Sequence, residues 1–332
     1  MQTFVIFTLF LMLLSSCQEE PKVQNKRGFT SGSSNGVAAS SGDLEALERC
    51  ENDRSLTLKA NESQSKMLIV NGDVAEDSDD VTASTVKVHV PGAHCTGTLI
   101  GPNQIVTAAH CFEESRRASP NAPLNFLDFP SEIKIGMGVN GNILGDVVVE
   151  AFVPHPCYQG ILANTSTGKY LDQIYYDVGL ISFSGDLPNQ YQPVEVAEIG
   201  DIQASSSVII AGYGAYSDSD TQRRPLTQVE SRISSADQFD EIQLEINGGG
   251  ACFGDSGGPT YIRADGKLKV AGSTTGPGRD SNYTCAAGSG TMMDLSKYRR
   301  WMKCSFQQMQ VPLDYLSDED SSSFCEDNRF IR

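Results

Sequence analysis

The chain of 332 residues has a single tryptophan, four histidines and a marked shortage of positive charge. Its 25 Lys and Arg face 42 Asp and Glu, a formal charge of −17. Nucleic-acid binding needs clustered Lys and Arg to displace counterions from phosphate, and a polybasic membrane patch needs them too, so both are excluded as partners. No apolar run exceeds Phe4–Leu14, interrupted only by Thr8, which is too short for a bilayer-spanning helix. The histidines show no His-Glu-x-x-His spacing, so His89, His94 and His155 read as structural or surface groups. The acidic run Glu76, Asp77, Asp79 and Asp80 reads as a solvated loop, and no metal or prosthetic cofactor is implied. Internal repeats are absent. With 39% hydrophobic residues the chain is not disordered.

What is present begins with an export signal. Phe4–Leu14 has the length of a signal-peptide core, although Met1-Gln2-Thr3 lacks the usual positive charge. It ends in Leu14-Ser15-Ser16-Cys17, which resembles a bacterial lipobox. The resemblance implies a signal peptide over 1–16, lipidation of Cys17 and, with Gln18 following, anchoring to a bacterial outer membrane. The alternative is an ordinary signal peptide cut near Ser16 and a secreted product. Nine cysteines suit an oxidising compartment, and lipidating Cys17 leaves an even eight for disulfides. Residues 17–68 read as a linker and propeptide. Gly28–Gly42 has flexible-linker composition, and Asp43–Cys50 could form a short helix with Asp43 as its N-cap.

From Ile69 the texture changes to short strands punctuated by Gly, Pro and Asn. Thr85–Val90, Glu132–Val139, Val147–Val153 and Ser207–Ala211 are the clearest, and the pattern predicts an all-β barrel or sandwich. One late helix is predicted over Asp294–Met302, where Leu295, Tyr298 and Trp301 or Met302 share a face. Residues 305–332 read as an acidic tail.

Three segments carry chemistry: Val106-Thr107-Ala108-Ala109-His110-Cys111, Asp177-Val178-Gly179-Leu180-Ile181 and Gly254-Asp255-Ser256-Gly257-Gly258-Pro259. A serine hydroxyl is a weak nucleophile. It needs an imidazole to take its proton and a carboxylate to fix that imidazole's tautomer. The Gly-x-Ser-x-Gly around Ser256 also fits the nucleophile elbow of α/β-hydrolases, but those chains run Ser, Asp, His and need βαβ texture, and this one runs His, Asp, Ser.

On these segments the chain resembles the chymotrypsin-like (trypsin-fold) serine endopeptidases. Ile69-Val70-Asn71-Gly72 resembles the N-terminus exposed on zymogen activation and lies 41 positions before His110. Gly212-Tyr213-Gly214 stands where the family usually has Gly-Trp-Gly, and Trp301 matches a residue of its C-terminal helix. The resemblance covers residues 69–304. It implies two six-stranded antiparallel β-barrels, about 69–190 and 191–304, with a C-terminal helix. It implies His110, Asp177 and Ser256 as catalytic residues and the N–H groups of Gly254 and Ser256 as the oxyanion hole. Cleavage between Leu68 and Ile69 would free an ammonium to pair with Asp255, through self-activation or an activating protease. Cys95–Cys111 and Cys252–Cys285 match family disulfides. Cys50, Cys157, Cys304 and Cys325 remain, with three possible pairings, of which Cys50–Cys157 with Cys304–Cys325 is preferred. Gly250, Gly276 and Gly290 correspond to the specificity pocket.

The departures shape the expected specificity. Gly250 stands where trypsin-like members carry an aspartate, so a preference for apolar P1 residues is expected unless Asp294 or another acid reaches the pocket. Thr274 or Thr275 replaces the serine that usually supports the aspartate, and residues 113–132 read as an inserted loop beside His110. The expected function is therefore a serine endopeptidase acting on protein or peptide substrates through an acyl-enzyme. The alternatives are an esterase with the same residues and a non-catalytic binding or regulatory protein on the same fold.

Overall fold

The computed structural model describes residues 72–114, 124–158, 176–215, 224–236, 241–244, 251–277 and 290–316. The signal segment, Cys17, the Asp43–Cys50 helix, Cys50, Ile69, Gly250, Cys285 and Cys325 lie outside these residues. No helix among the described residues is long and apolar enough to cross a membrane.

The architecture is all-β, as expected, with two antiparallel sheets and one C-terminal helix. The first sheet has seven strands: β2 (Thr85–Val90), β3 (Ala93–Gly101), β4 (Gln104–Thr107), β5 (Lys134–Met137), β6 (Asn142–Ile143), β7 (Val148–Pro154) and β8 (Gly179–Ser184). They run in the order β6-β5-β2-β3-β4-β8-β7. Their inward side chains, among them Val86, Val88, Leu99, Ile105, Ile135, Phe152 and Ile181, form one apolar core. Alternation makes this possible, because a period of two sends every second residue to the same face.

The second sheet holds β1 (Asp73–Val74), β9 (Glu195–Val196), β10 (Ser207–Gly212), β11 (Thr227–Ala236), β12 (Glu241–Leu244), β13 (Pro259–Ala264), β14 (Lys267–Pro277) and β15 (Gly290–Asp294). The path β11-β10-β13-β14-β15-β12 closes on itself because β12 also pairs with β11. That closure leaves no free edge on the ring. The counts of eight and seven exceed six per barrel because short strands join the rims: β1 on β11, β9 parallel to β14, and β6 on β5.

Boundaries differ from the sequence reading by a residue at β7 and β10, and by more in two other places. Residues 130–132 form a 3-10 turn, and Gly138 at φ 75° follows the strand, so β5 is shorter than Glu132–Val139. The C-terminal helix is longer and starts later. Leu295–Tyr298 is a 3-10 turn capped by Asp294, and α2 runs Arg299–Gln308, following the single turn α1 (Asp80–Ser84). Trp301, Met302 and Phe306 on α2 are buried in a cluster between the sheets. The chain also stays packed beyond Cys304. Leu313 and Leu316 are buried in the same cluster, and the Gln104 amide donates to the carbonyls of Val311 (2.8 Å) and Pro312 (3.3 Å).

Candidate active site

The three motif segments converge where the sheets meet. His110 sits in the 3-10 turn Ala109–Phe112 directly after β4, between the fully buried Ala108, Ala109 and Phe112. The Phe112 ring packs on Phe152 with centroids 4.7 Å apart, which fixes the floor of the turn. Asp177, wholly buried, precedes β8, the strand paired with β4. It receives the backbone N–H of His110 on Oδ1 at 2.9 Å, and its Oδ2 lies 2.7 Å from His110 Nδ1. A carboxylate only accepts, so Nδ1 carries the proton and Nε2 bears the lone pair of the neutral imidazole. The imidazole is 15% exposed, open enough to meet a substrate.

Ser256 reaches the same place through its loop. The N–H of Thr96 on β3 donates to the Ser256 carbonyl at 2.8 Å, and Cys111 Sγ, beside His110, lies 3.8 Å from that oxygen. Gly257 N–H donates to the Thr274 carbonyl at 2.6 Å, and Thr274 N–H returns to Gly258 at 2.9 Å. The backbone path is tight. Gly254 and Gly257 hold φ 100° and 79°, and a Cβ on Gly257 would stand 2.1 Å from Thr107 Oγ1 and 2.4 Å from the Thr96 carbonyl. Only glycine fits there.

The peptide before Gly254 is oriented from outside. Ala215 N–H donates to the Phe253 carbonyl at 2.9 Å, which in a trans peptide turns the Gly254 N–H to the opposite side. Thr96 Oγ1 donates to the Gly254 carbonyl at 2.8 Å and accepts from Tyr213 N–H at 3.1 Å. Among the described residues, the N–H groups of Gly254 and Ser256 donate to no protein acceptor. Two such donors on the loop that carries Ser256 suit a developing oxyanion. Thr96 was not legible as a site residue in the sequence. Nothing in His94-Cys95-Thr96-Gly97 marks a hydroxyl that bridges two other segments.

Asp255 points away from solvent into a space lined by Gly212 and Gly214. A Cβ on either glycine would fall 2.1 or 2.4 Å from its carboxylate. Asp255 accepts from Gly214 N–H at 2.7 Å and Cys252 N–H at 2.8 Å. Burial nonetheless pushes its carboxyl up to about 7, with the two N–H bonds pulling the other way. No cation faces it among the described residues.

Cys95 and Cys111 form the expected disulfide. Their sulfurs and His110 lie within 4.8 Å of one another, but the bond between the sulfurs removes them as thiolate ligands. Cys157, Cys252 and Cys304 are each disulfide-bonded too, while Cys50, Cys285 and Cys325, their expected partners, lie outside the described residues. Gly276 and Gly290 fall on the adjoining β14 and β15, where Gly276 pairs with Thr291 and Pro277 with Gly290. Neither threonine supports Asp177 as expected. Thr274 Oγ1 turns to Met292 Sδ at 3.1 Å, and Thr275 Oγ1 is buried with no partner among the described residues. Asp294 faces the 3-10 turn that follows it. Its Oδ1 accepts from Ser296 N–H at 3.1 Å and Ser296 Oγ at 2.6 Å, capping the 3-10 turn. His89 and His94 lie 3.2 and 3.1 Å from the carbonyls of Gly141 and Tyr213, and His155 is buried, so all three have structural surroundings. In the acidic run, Asp79 accepts from Glu76 N–H and Gln228, and Asp80 pairs with Arg263 at 2.8 Å. At the base of the inserted loop, Glu113 bridges Phe126, and Tyr158 hydrogen-bonds Glu113 Oε1 at 2.6 Å.

The family model for trypsin matches residues 69–302, which contain every segment of this site. The chain belongs to the trypsin family. Similar proteins include transmembrane protease serine 7 of Rattus norvegicus, 27% identical over 208 residues, covering 56% of this chain and 23% of the relative. A trypsin of Saccharopolyspora erythraea is 27% identical over 212 residues, covering 58% of this chain and 82% of the relative. Mannan-binding lectin serine protease 1 of Mus musculus is 30% identical over 194 residues, covering 51% and 25%. The chain thus spans about a quarter of the two mammalian relatives and most of the bacterial trypsin.

Proposed function

We propose that this trypsin-family chain is a serine endopeptidase that hydrolyses protein or peptide substrates through an acyl-enzyme. The observation that carries the reading is the His110–Asp177 pair, which holds the imidazole in the tautomer a general base requires, with the Ser256 carbonyl held by Thr96 N–H on β3. Ser256 Oγ attacks the scissile carbonyl while His110 Nε2 takes its proton. The buried Asp177 carboxylate stabilises the imidazolium, which then protonates the leaving amine. The N–H groups of Gly254 and Ser256 receive the charge that develops on the carbonyl oxygen. The chain needs no prosthetic cofactor for these steps.

The uncut chain is a zymogen in this reading. Cleavage between Leu68 and Ile69 supplies an ammonium to the buried Asp255, which has two N–H donors and no cation among the described residues. A bridge from Cys50 to Cys157 would keep the propeptide attached after that cut. The lipobox-like Leu14-Ser15-Ser16-Cys17 supports export with a lipid on Cys17, so the enzyme would act in the cell envelope or outside it. Mass spectrometry of the exported protein reads the lipid, the mature N-terminus and the bridges together. An unmodified Cys17 in a mature chain rules out the anchor, and loss of the propeptide without reductant rules out the bridge.

Specificity follows from the uncharged residue at the pocket-base position. Gly250 carries no charge, and Asp294 is engaged by Ser296 and Lys297, so a Lys or Arg side chain at the pocket base would meet no carboxylate from either position. Cleavage of a peptide library by the chain cut before Ile69 is expected after Leu, Phe or Tyr. Dominant cutting after Arg or Lys contradicts this specificity, and no cutting at all contradicts the peptidase reading.

A further inference from the structure

Tyr176, the residue before Asp177, holds φ 57°, a left-handed conformation that bulky L-residues rarely adopt. Such a conformation persists only where the surroundings over-determine it. Here they do. The Tyr176 ring stacks on the imidazole of His155 with centroids 5.0 Å apart and planes 9° from parallel. Tyr298 meets the same two rings edge-on, at 6.4 Å from Tyr176 and 5.4 Å from His155, and Trp301 closes on His155 at 4.7 Å. His155 is buried, and burial lowers its pKa to about 3, so it serves as a neutral flat face. Its Nδ1 accepts from Cys157 N–H at 3.2 Å, which fixes the ring plane.

The other side of Asp177 is pinned as well. Val178 N–H donates to the Tyr176 carbonyl at 2.8 Å, closing a three-residue turn with Asp177 at its apex. The Val178 carbonyl in turn accepts from His155 N–H at 2.9 Å. One histidine therefore braces both neighbours of Asp177, by its ring on one side and its backbone on the other. Among the described residues, the Asp177 carboxylate receives only the two N–H groups of His110, and no hydroxyl from Thr274 or Thr275 helps aim it.

We propose that Tyr176 is a positioning residue: its left-handed backbone, locked by stacking on His155 within the Tyr298–Trp301 cage, aims the Asp177 carboxylate at His110. This role rests on the catalytic reading of Asp177 given above. Two substitutions separate ring from backbone. Tyr176→Phe keeps the stack, whereas Tyr176→Val is β-branched and resists the left-handed conformation.

The test uses the full chain for proton NMR and the chain cut before Ile69 for kinetics. In wild type and Tyr176→Phe, the His110 Nδ1–H gives a slowly exchanging resonance, and kcat is the same. In Tyr176→Val that resonance is lost, and kcat falls by roughly 10–100-fold with little change in KM, because the misaimed carboxylate affects the proton transfer and not substrate binding. Should Tyr176→Val fail to melt cooperatively, Tyr176→Asn replaces it; this variant tolerates the left-handed backbone, lacks the ring, and is expected to lose part of both signals. A folded Tyr176→Val with wild-type resonance and kcat overturns the role, as does a fall in kcat matched by fewer titratable sites with the resonance intact. The two readings fail separately. A wild-type cut chain that takes up no fluorophosphonate overturns the peptidase reading and this role with it, whereas labelled wild type with an indifferent Tyr176 overturns the role alone.

Discussion

Ser256→Ala in the cut chain is expected to lower kcat by roughly 10⁴–10⁶ while the thermal midpoint stays near that of wild type. His110→Ala should fall by a similar factor, and the double variant by little more than either, because nucleophile and base act as one unit. The stability expectation follows from position. Ser256 contributes its carbonyl, not its side chain, to the bond with Thr96, and the His110 ring is partly exposed, so neither truncation opens a large cavity. Steady-state hydrolysis of a chromogenic peptide, paired with a thermal melt, checks both quantities. A Ser256→Ala chain that turns over at the wild-type rate removes Ser256 from the chemistry.

Asp255→Ala is expected to cost roughly 10²–10³ in kcat, the size of effect seen when an oxyanion donor is lost. Its carboxylate accepts from two buried N–H groups, on Gly214 and Cys252, and these flank the loop that aims Gly254. Without it both donors are buried and unsatisfied. Under the proposed activation, the same residue would make the effect of cleavage depend on pH. Burial holds its folded pKa at about 7, above the ordinary aspartate value of 3.8. Such a group contributes stability that is complete below about pH 3.8 and is lost as pH rises through about 7. The loss in the uncut chain is on the order of 4 kcal/mol, since a tenfold change in proton affinity corresponds to about 1.4 kcal/mol. The proposed Ile69 ammonium beside the carboxylate would offset it. Cleavage before Ile69 should therefore raise the thermal midpoint more at pH 7.5 than at pH 5, and in Asp255→Asn that difference should vanish. Equal effects of cleavage at both pH values contradict the pairing.

Much of the barrel was legible because alternation and punctuation are local signals. Thr85–Val90 is a strand with the bounds its β-branched alternation suggests, and Ser207–Ala211 extends by one residue. The C-terminal helix was read too short because its last turn, with Phe306 buried, is held by packing against distant strands, and Leu313 and Leu316 follow it into that core. Tertiary burial of this kind leaves no periodic trace in a tail rich in Asp and Ser. At the site, His110, Asp177 and Ser256 announce themselves because they sit in short, composition-biased motifs. Thr96 and Tyr176 do not, since one acts through a hydroxyl shared by three segments and the other through a backbone angle. The support for Asp177 was misassigned for the same reason. The side chains of Thr274 and Thr275 are directed by the irregular pairing between Thr274 and Gly276 on β14, a feature no spacing reveals.

The central claim is that Ser256 is a nucleophile activated by His110 and Asp177. Fluorophosphonate labelling of the chain cut before Ile69, followed by peptide mapping, tests it most directly, because only a serine with an assembled base and oxyanion hole reacts at a useful rate. The account predicts a single adduct on Ser256 that is absent in His110→Ala. No adduct on the cut chain, or an adduct on another residue that persists in Ser256→Ala, would contradict it.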